Sequence, residues 1–116
     1  MGSCVVWVDS VHAKIFKLSV AGVKRKLLHI NAAHPNSEES FFQDVMNEIG
    51  EPPERLLIMG SGTTKNDFKK FLEKYHKDNL LESLVGVEAL PDVNDLQILE
   101  ASRKYFKKHS DYSLSM

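Results

Sequence analysis

The chain has 116 residues, of which 42% are hydrophobic, and a formal net charge of −1 from 15 basic and 16 acidic side chains. This length suits one compact domain, and the near-neutral charge excludes nucleic-acid binding through overall charge, which would need basic side chains gathered on one face. A single cysteine, Cys4, excludes an internal disulfide, and no apolar run reaches the ~18 residues that cross a bilayer. We therefore expect a cytoplasmic protein without a signal peptide or a membrane contact.

Three short strands open the chain. Residues 4–9 form a β-branched and aromatic run, residues 13–19 alternate between apolar and polar side chains, and residues 26–30 form a third apolar segment. Turn residues at 10–12 and 21–22 separate them. Short connections of this kind predict an antiparallel meander.

A helix and a fourth strand follow the loop at 31–37. The helix begins near Ser37, carries an apolar stripe at 3.6-residue spacing and ends at Gly50. A rigid proline pair at 52–53 then leads into a strand at 55–59.

The remaining segments predict two more helices around a fifth strand. The second helix begins with Thr64 as its N-cap, and Asp67 three residues later resembles a capping box. The fifth strand covers 84–87. The apolar positions of the third helix run from Leu96 to Phe106.

The element order β-β-β-α-β-α-β-α predicts the fold. A meander followed by two strand–helix units favours a mixed sheet with helices on both faces. Right-handed crossovers place strands four and five beside strand one, so the spatial order is 3-2-1-4-5. This is a ribonuclease-H-like α/β arrangement with a five-stranded sheet and about three helices. We assign it to a single domain over residues 1–108, followed by a flexible tail over 109–116.

The turn Gly60-Ser61-Gly62 joins the fourth strand to the second helix. It lacks the spacing of a Walker A loop and the third glycine of a dinucleotide fingerprint, so a tight structural turn is one interpretation. The other is an anion site at the helix N-terminus, with the helix lysines contacting RNA phosphates rather than only forming a solvated face. The candidate RNA- or anion-binding residues are Gly60, Gly62, Thr63, Thr64, Lys65, Lys69 and Lys70.

Acidic side chains raise the alternative of a nuclease. A ribonuclease-H-like nuclease holds two divalent metal ions between converging carboxylates, for which Asp9, Glu48 and Asp95 are the candidates. The fourth strand contributes no acid, which leaves the set incomplete, and Asp9 could instead cap the turn at Ser10. The spacing of the histidines predicts no metal site, and we expect no cofactor.

Segments 5–16, 57–72 and 84–88 resemble a known family. The first is similar to the opening hairpin of the middle domain of archaeal and eukaryotic peptide-chain release factors and Pelota proteins. The other two resemble the fourth strand, the following helix and the fifth strand of that domain. Bacterial release-factor-like proteins, also called translational machinery proteins, share the pattern GxGxxKxxFxxxL, which begins here at Gly60. The resemblance covers residues 4–107 and implies a ribonuclease-H-like fold, in agreement with the derived strand order.

The resemblance implies a role in translation without the release reaction. Release factors of this family carry a Gly-Gly-Gln loop between the third strand and the first helix, which reaches the peptidyl-transferase centre. The matching segment, 31–37, has no Gly-Gly-Gln, so peptidyl-tRNA hydrolysis is not expected. We predict a stand-alone, non-catalytic module that binds the ribosome or RNA and presents His34 and Asn36 to its partner. The alternatives are a metal-dependent nuclease and a homo-oligomeric interaction protein.

Overall fold

A five-stranded mixed sheet lies at the centre of the protein and separates its longer helices into two layers. The structure is a computed structural model that describes residues 2–29, 38–75 and 80–114. Its elements are β1 (Ser3–Val8), β2 (His12–Ser19), β3 (Gly22–His29), α1 (Glu38–Ile49), β4 (Arg55–Gly60), α2 (Thr64–Tyr75), the short α3 (Leu80–Ser83), β5 (Leu84–Ala89) and α4 (Asp95–Leu114).

The strands lie in the order β3-β2-β1-β4-β5. β1 pairs antiparallel with β2 and parallel with β4, while β3 is antiparallel to β2 and β5 is parallel to β4. In the described ranges, α1, α2 and α4 are the helices that cover the sheet. The predicted α/β class, ribonuclease-H-like strand order and approximate helix number are therefore confirmed.

The central strand β1 contributes to an apolar core on each face of the sheet. Val6 and Val8 belong to the core covered by α1 and α2, whereas Val5 and Trp7 belong to the core covered by α4. All four side chains are 0% exposed. A strand buried on both faces shows no apolar–polar alternation, which explains the continuous apolar run in the sequence.

Aromatic rings join α1 to α2 above the first core. The ring of Phe42 on α1 lies 5.1 Å from that of Phe68 and 5.6 Å from that of Phe71, both on α2. Rings at these separations contribute beyond the apolar area that they bury. This packing sets α2, and with it the turn before α2, against the sheet.

β3 begins at Gly22 rather than at residue 26 as predicted. Gly22 has a φ of 129°, which closes the turn after β2 so that the two strands pair from Ser19 opposite Gly22. The basic run Lys24-Arg25-Lys26 is thus part of the strand. Charged side chains at these positions hide the apolar pattern by which strands are recognised.

The start of α2 and the end of α4 also differ in detail from the predictions. The carbonyl oxygen of Thr63 accepts hydrogen bonds from the N–H groups of Asn66 and Asp67 at 2.9 and 3.1 Å, so Thr63 is the N-cap in place of Thr64. α4 continues as helix to Leu114. The domain limit at 108 and the flexibility of 109–116 stay predictions. Among the helices in the described ranges, none is long and apolar enough to cross a membrane.

Cys4 is expected to be unreactive in the native protein. Its side chain is 2% exposed, and burial raises the pKa of the thiol to about 12 although Lys17 acts in the opposite direction. Because the unfolded thiol has a pKa of 9.0, the native state keeps a proton that the unfolded state releases above that pH. The stability gained by burying the neutral thiol is therefore complete well below pH 9 and is lost as the pH rises towards 12, by roughly 1 kcal/mol at pH 10.

Two measurements check this expectation. Ellman's reagent should react with the thiol at pH 8 only when urea is present. The free energy of unfolding of Cys4→Ala should fall less between pH 8 and pH 10 than that of the wild type. Equal pH dependence in the two proteins, or fast labelling of the folded chain, would contradict the assignment.

Candidate nucleic-acid interface

The carboxyl ends of β1, β4 and β5 meet at one edge of the sheet because the three strands are parallel. Open α/β sheets commonly bind ligands at this edge. Here the chain segments that leave the strands are tied together: the N–H of Leu90 donates to the carbonyl oxygen of Gly60 at 2.9 Å, and the indole of Trp7 donates to the carbonyl oxygen of Leu90 at 3.0 Å. These two hydrogen bonds fix the positions of the chain segments at this edge, and with them the side chains that they carry.

Each glycine of the turn after β4 has its own structural reason. A Cβ atom on Gly60 would lie 2.0 Å from the carbonyl oxygen of Val8, so only glycine permits this approach of β4 to β1. Gly62 has open space around it but a φ of 66°, which favours glycine. Both glycines are accounted for as parts of a tight turn, and a role in anion contact stays a prediction.

The three residues after the turn are placed differently from one another. Thr63 is exposed, whereas Thr64 is buried, with 6% of its surface exposed. The ammonium group of Lys65 turns back and donates to the carbonyl oxygen of Gly62. Thr63 and Lys65 are thus the predicted residues whose polar groups lie at the surface near the first turn of α2.

Lys69 and Lys70 are exposed on α2, but acidic groups lie beside the helix. Lys70 lines a groove between α1 and α2 that also contains Glu38, Glu39 and Asp67. Burial, with a smaller effect of the Asp67 charge, raises the pKa of Glu38. The positive charge of α2 on the side of α1 is therefore partly balanced.

Further along the same groove, Lys74 Nζ lies 3.9 Å from a carboxylate oxygen of Glu39, and the hydroxyl of Tyr75 donates to Glu39 at 3.3 Å. Lys69 does not line this groove. Of the two exposed lysines predicted to bind phosphate, Lys70 therefore lies beside the acidic groups of α1, and Lys69 does not.

The basic residues of α2 and those of α4 do not form one surface. α2 packs on the face of the sheet that includes Val6, and α4 packs on the face that includes Val5. Arg103, Lys104 and Lys108 on α4 are thus separated from the α2 lysines by the whole sheet. His34 and Asn36, predicted to contact a partner, lie outside the described residues.

Asp9 organises the turn between β1 and β2. One of its carboxylate oxygens accepts hydrogen bonds from the N–H groups of Val11 and His12 at 2.9 and 2.8 Å. The same oxygen lies 3.2 Å from Nδ1 of His12. The capping interpretation of Asp9 therefore accounts for its position after β1.

The structure does not bring the three nuclease candidates together. Glu48 lies on α1, which covers one face of the sheet, and Asp95 begins α4, which covers the other. Asp95 is also bonded to Arg25 and lies 3.8 Å from Lys14 Nζ. Carboxylates that hold two metal ions about 4 Å apart must converge on one point, and Glu48 and Asp95 do not.

The structure instead places Asp92 beside Asp9. Asp9, His12 and Asp92 each offer one atom that could bind a metal ion, and these three atoms lie within 4.8 Å of one another. Lys14 Nζ lies 3.5 Å from Asp92, donates to the carbonyl oxygen of Val93 at 3.2 Å, and supplies a positive charge to this cluster. Sequence reasoning did not find Asp92 because about eighty residues separate it from Asp9 and only the parallel strands bring them together.

Three solved structures, two of Pelota proteins and one of an archaeal translation termination factor, resemble this fold. Pelota of Archaeoglobus fulgidus matches with a TM-score of 0.73 and 15% identity over 98% of this chain and 35% of the Pelota chain. Pelota of Thermoplasma acidophilum matches with a TM-score of 0.59 and 18% identity over 79% of this chain and 28% of that one. An archaeal translation termination factor matches with a TM-score of 0.56 and 18% identity over 99% of this chain and 42% of the factor.

No family model and no curated protein matches the sequence. The likeness at these identities concerns the fold, and the chain spans less than half the length of each of these structures. The resemblance to Pelota and release factors noted in the sequence is confirmed at that level: the chain has the fold of one part of Pelota and of an archaeal translation termination factor.

Proposed function

We propose that this protein is a release-factor-like module that binds the ribosome or RNA in the cytoplasm as part of translation. The observation that carries the proposal is the match of nearly the whole chain, 98%, to part of Pelota with a TM-score of 0.73. The similarity to a structure named as a translation termination factor also supports a role in translation. The segment 31–37 lacks the Gly-Gly-Gln sequence of release factors, which supports binding without peptidyl-tRNA hydrolysis.

Binding would use the surface around the start of α2. Thr63 and Lys65 border the turn, and the N-terminus of a helix attracts anions through its free N–H groups and its dipole. Lys69 and Lys70 follow one turn later and are exposed. Lysine contacts to phosphates release counterions, so the complex should weaken steeply with salt.

Sedimentation of the purified chain with ribosomes tests the proposal. We expect the wild-type chain to pellet with ribosomes at about 50 mM salt and to be released at about 200 mM. Reversal of two phosphate contacts by Lys69→Glu with Lys70→Glu should weaken the association about 25-fold or more near 0.1 M salt, because each contact contributes about fivefold there.

A matched pair on the opposite face provides the control. Lys104→Glu with Lys108→Glu changes the charge equally on exposed positions of α4 and should leave pelleting unchanged. A wild-type chain that stays in the supernatant at the lower salt concentration would overturn the proposed binding to the ribosome. Equal loss of binding in both pairs would attribute the association to overall charge and would overturn the proposed contact through α2.

A further inference from the structure

Positive charge is concentrated on the hairpin formed by β2 and β3. Residues 12–29 contain five of the 15 basic side chains of the chain and none of its 16 acidic ones. This is the segregation of charge that a nearly neutral protein needs in order to bind nucleic acid. The basic residues of the hairpin are Lys14, Lys17, Lys24, Arg25 and Lys26.

Two of these cations are already balanced. Lys14 and Arg25 lie on the side of the sheet that α4 covers, as their pairing with neighbours of that core shows. Arg25 Nε donates to a carboxylate oxygen of Asp95, and Lys14 Nζ lies within 3.8 Å of both Asp92 and Asp95. These contacts hold the hairpin to the start of α4.

The other three, Lys17, Lys24 and Lys26, form what we call the hairpin lysine face. Lys17 lies opposite Cys4 on β1 and opposite Lys24 on β3, which places both lysines on the side of α1. Lys26 follows on the same side, about 7 Å further along β3. Among the described residues, no acidic side chain forms an ion pair with any of the three.

Stability of the sheet does not account for this arrangement. Like charges directly opposite each other on neighbouring strands are destabilising. Lysines on an edge strand discourage pairing with other chains, which would explain Lys24 and Lys26 on β3. It would not explain Lys17, which lies on β2 inside the sheet.

We infer that the hairpin lysine face binds the phosphate backbone of RNA, an inference that deepens the proposed function and rests on it. The chemistry of the face favours RNA over a protein partner. Val20 and Val23 are the large hydrophobic residues exposed on the hairpin; Val20 lies in the turn, and Val23 is paired with Leu18 on the α4 side. Protein interfaces have an apolar centre, whereas phosphate contacts need none.

One end of the face opens into a groove that suits such contacts. Lys17 and Lys24 line a groove of about 360 Å³ together with Ser3, Ser19 and Glu51. The serine side chains can donate hydrogen bonds to phosphate oxygens. The carboxylate of Glu51 weakens the attraction of this groove for a phosphate. The exposed lysines of β3 should therefore make most of the phosphate contacts.

Binding of labelled RNA to the full chain tests this inference. The probes are a fluorescein-labelled single-stranded oligouridylate and purified transfer RNA, followed by anisotropy between about 50 and 200 mM salt. Lys24→Gln with Lys26→Gln should bind about 25-fold more weakly near 0.1 M salt, and the slope of log affinity against log salt should become shallower by about 1.4. The midpoint temperature of thermal unfolding should be no lower for this variant than for the wild type, because the repulsion between Lys17 and Lys24 is relieved.

Lys104→Gln with Lys108→Gln, on the far face of the sheet, is the matched control and should bind as the wild type does. Wild-type affinity and slope in the Lys24/Lys26 variant would overturn the inference. So would displacement of the RNA by polyglutamate at equal charge, which would assign the face to an acidic protein.

The two proposals fail differently. If the wild type pellets with ribosomes and the Lys24/Lys26 variant pellets equally well, the hairpin inference is wrong and the proposed function stands. If the wild type does not pellet but binds RNA with the predicted dependence on Lys24 and Lys26, the ribosome is excluded as the partner, and RNA binding through the hairpin lysine face is supported.

Discussion

Replacing Gly60 with alanine is expected to destabilise the protein by about 3 kcal/mol, a large share of the 5–15 kcal/mol that holds a typical domain folded. The added Cβ would meet the carbonyl oxygen of Val8 at 2.0 Å and its carbonyl carbon at 3.1 Å. Both atoms belong to the backbone of the central strand, so relief requires β1 and β4 to move apart. The same movement would strain the hydrogen bond from Leu90 to Gly60. Urea unfolding followed by circular dichroism measures the loss.

Gly62 offers the matched comparison two residues away. No atom lies within 4 Å of the Cβ that Gly62→Ala would add, but its φ of 66° is unfavourable for alanine and costs about 1–2 kcal/mol. Gly62→Asn should cost less, since asparagine tolerates this conformation. An equal loss in Gly60→Ala and Gly62→Ala would show that the contact with Val8 is not what requires Gly60.

Replacing Trp7 with alanine should cost about 3–5 kcal/mol, the range for large aromatic residues removed from a core. Trp7 is 0% exposed and belongs to the core that fixes α4 to the sheet. Its indole also donates to the carbonyl oxygen of Leu90 at 3.0 Å. The substitution therefore opens a cavity under α4 and removes a bond that secures the chain after β5.

Urea unfolding is again followed by circular dichroism. Trp7 is the single tryptophan of the chain, so its replacement removes the tryptophan fluorescence that would otherwise report unfolding. Leu96→Ala is the control on α4, where the side chain is 77% exposed and the expected change is within about 0.5 kcal/mol. The loss of stability in Trp7→Phe should lie between those of Trp7→Ala and Leu96→Ala, since phenylalanine keeps an aromatic ring but loses the hydrogen bond. A loss of less than about 1 kcal/mol in Trp7→Ala would contradict the assigned role in the core.

Periodicity explains why the succession of the longer elements could be predicted, whereas the four-residue helix α3 was not. The apolar runs of β1 and β4 and the helical stripe through Phe41, Phe42 and Val45 are local patterns, and each requires one kind of backbone to bury it. The preferred handedness of crossovers then limits how such elements join one sheet. The fold class and the strand order followed from these two constraints.

Local pattern was less informative where charge replaced apolar alternation. The basic run at Lys24-Arg25-Lys26 concealed the first half of β3, and its role emerged only from pairing with β2. The proximity of Asp9 to Asp92 likewise depends on strands distant in sequence. The separation of Glu48 from Asp95 depends on which face each helix covers.

Local sequence patterns predicted the type and order of the longer elements and the glycine turn before α2, because these depend on neighbours within a few residues. Which charges share a surface depends instead on how elements distant in the sequence pack together. Among the described residues, the tertiary structure placed Lys17 opposite Lys24 with no acidic side chain in an ion pair with either, and it set Lys70 and Lys74 of α2 beside Glu38 and Glu39. Strand register and helix packing bring these groups together, and neither can be read from the spacing of residues along the chain.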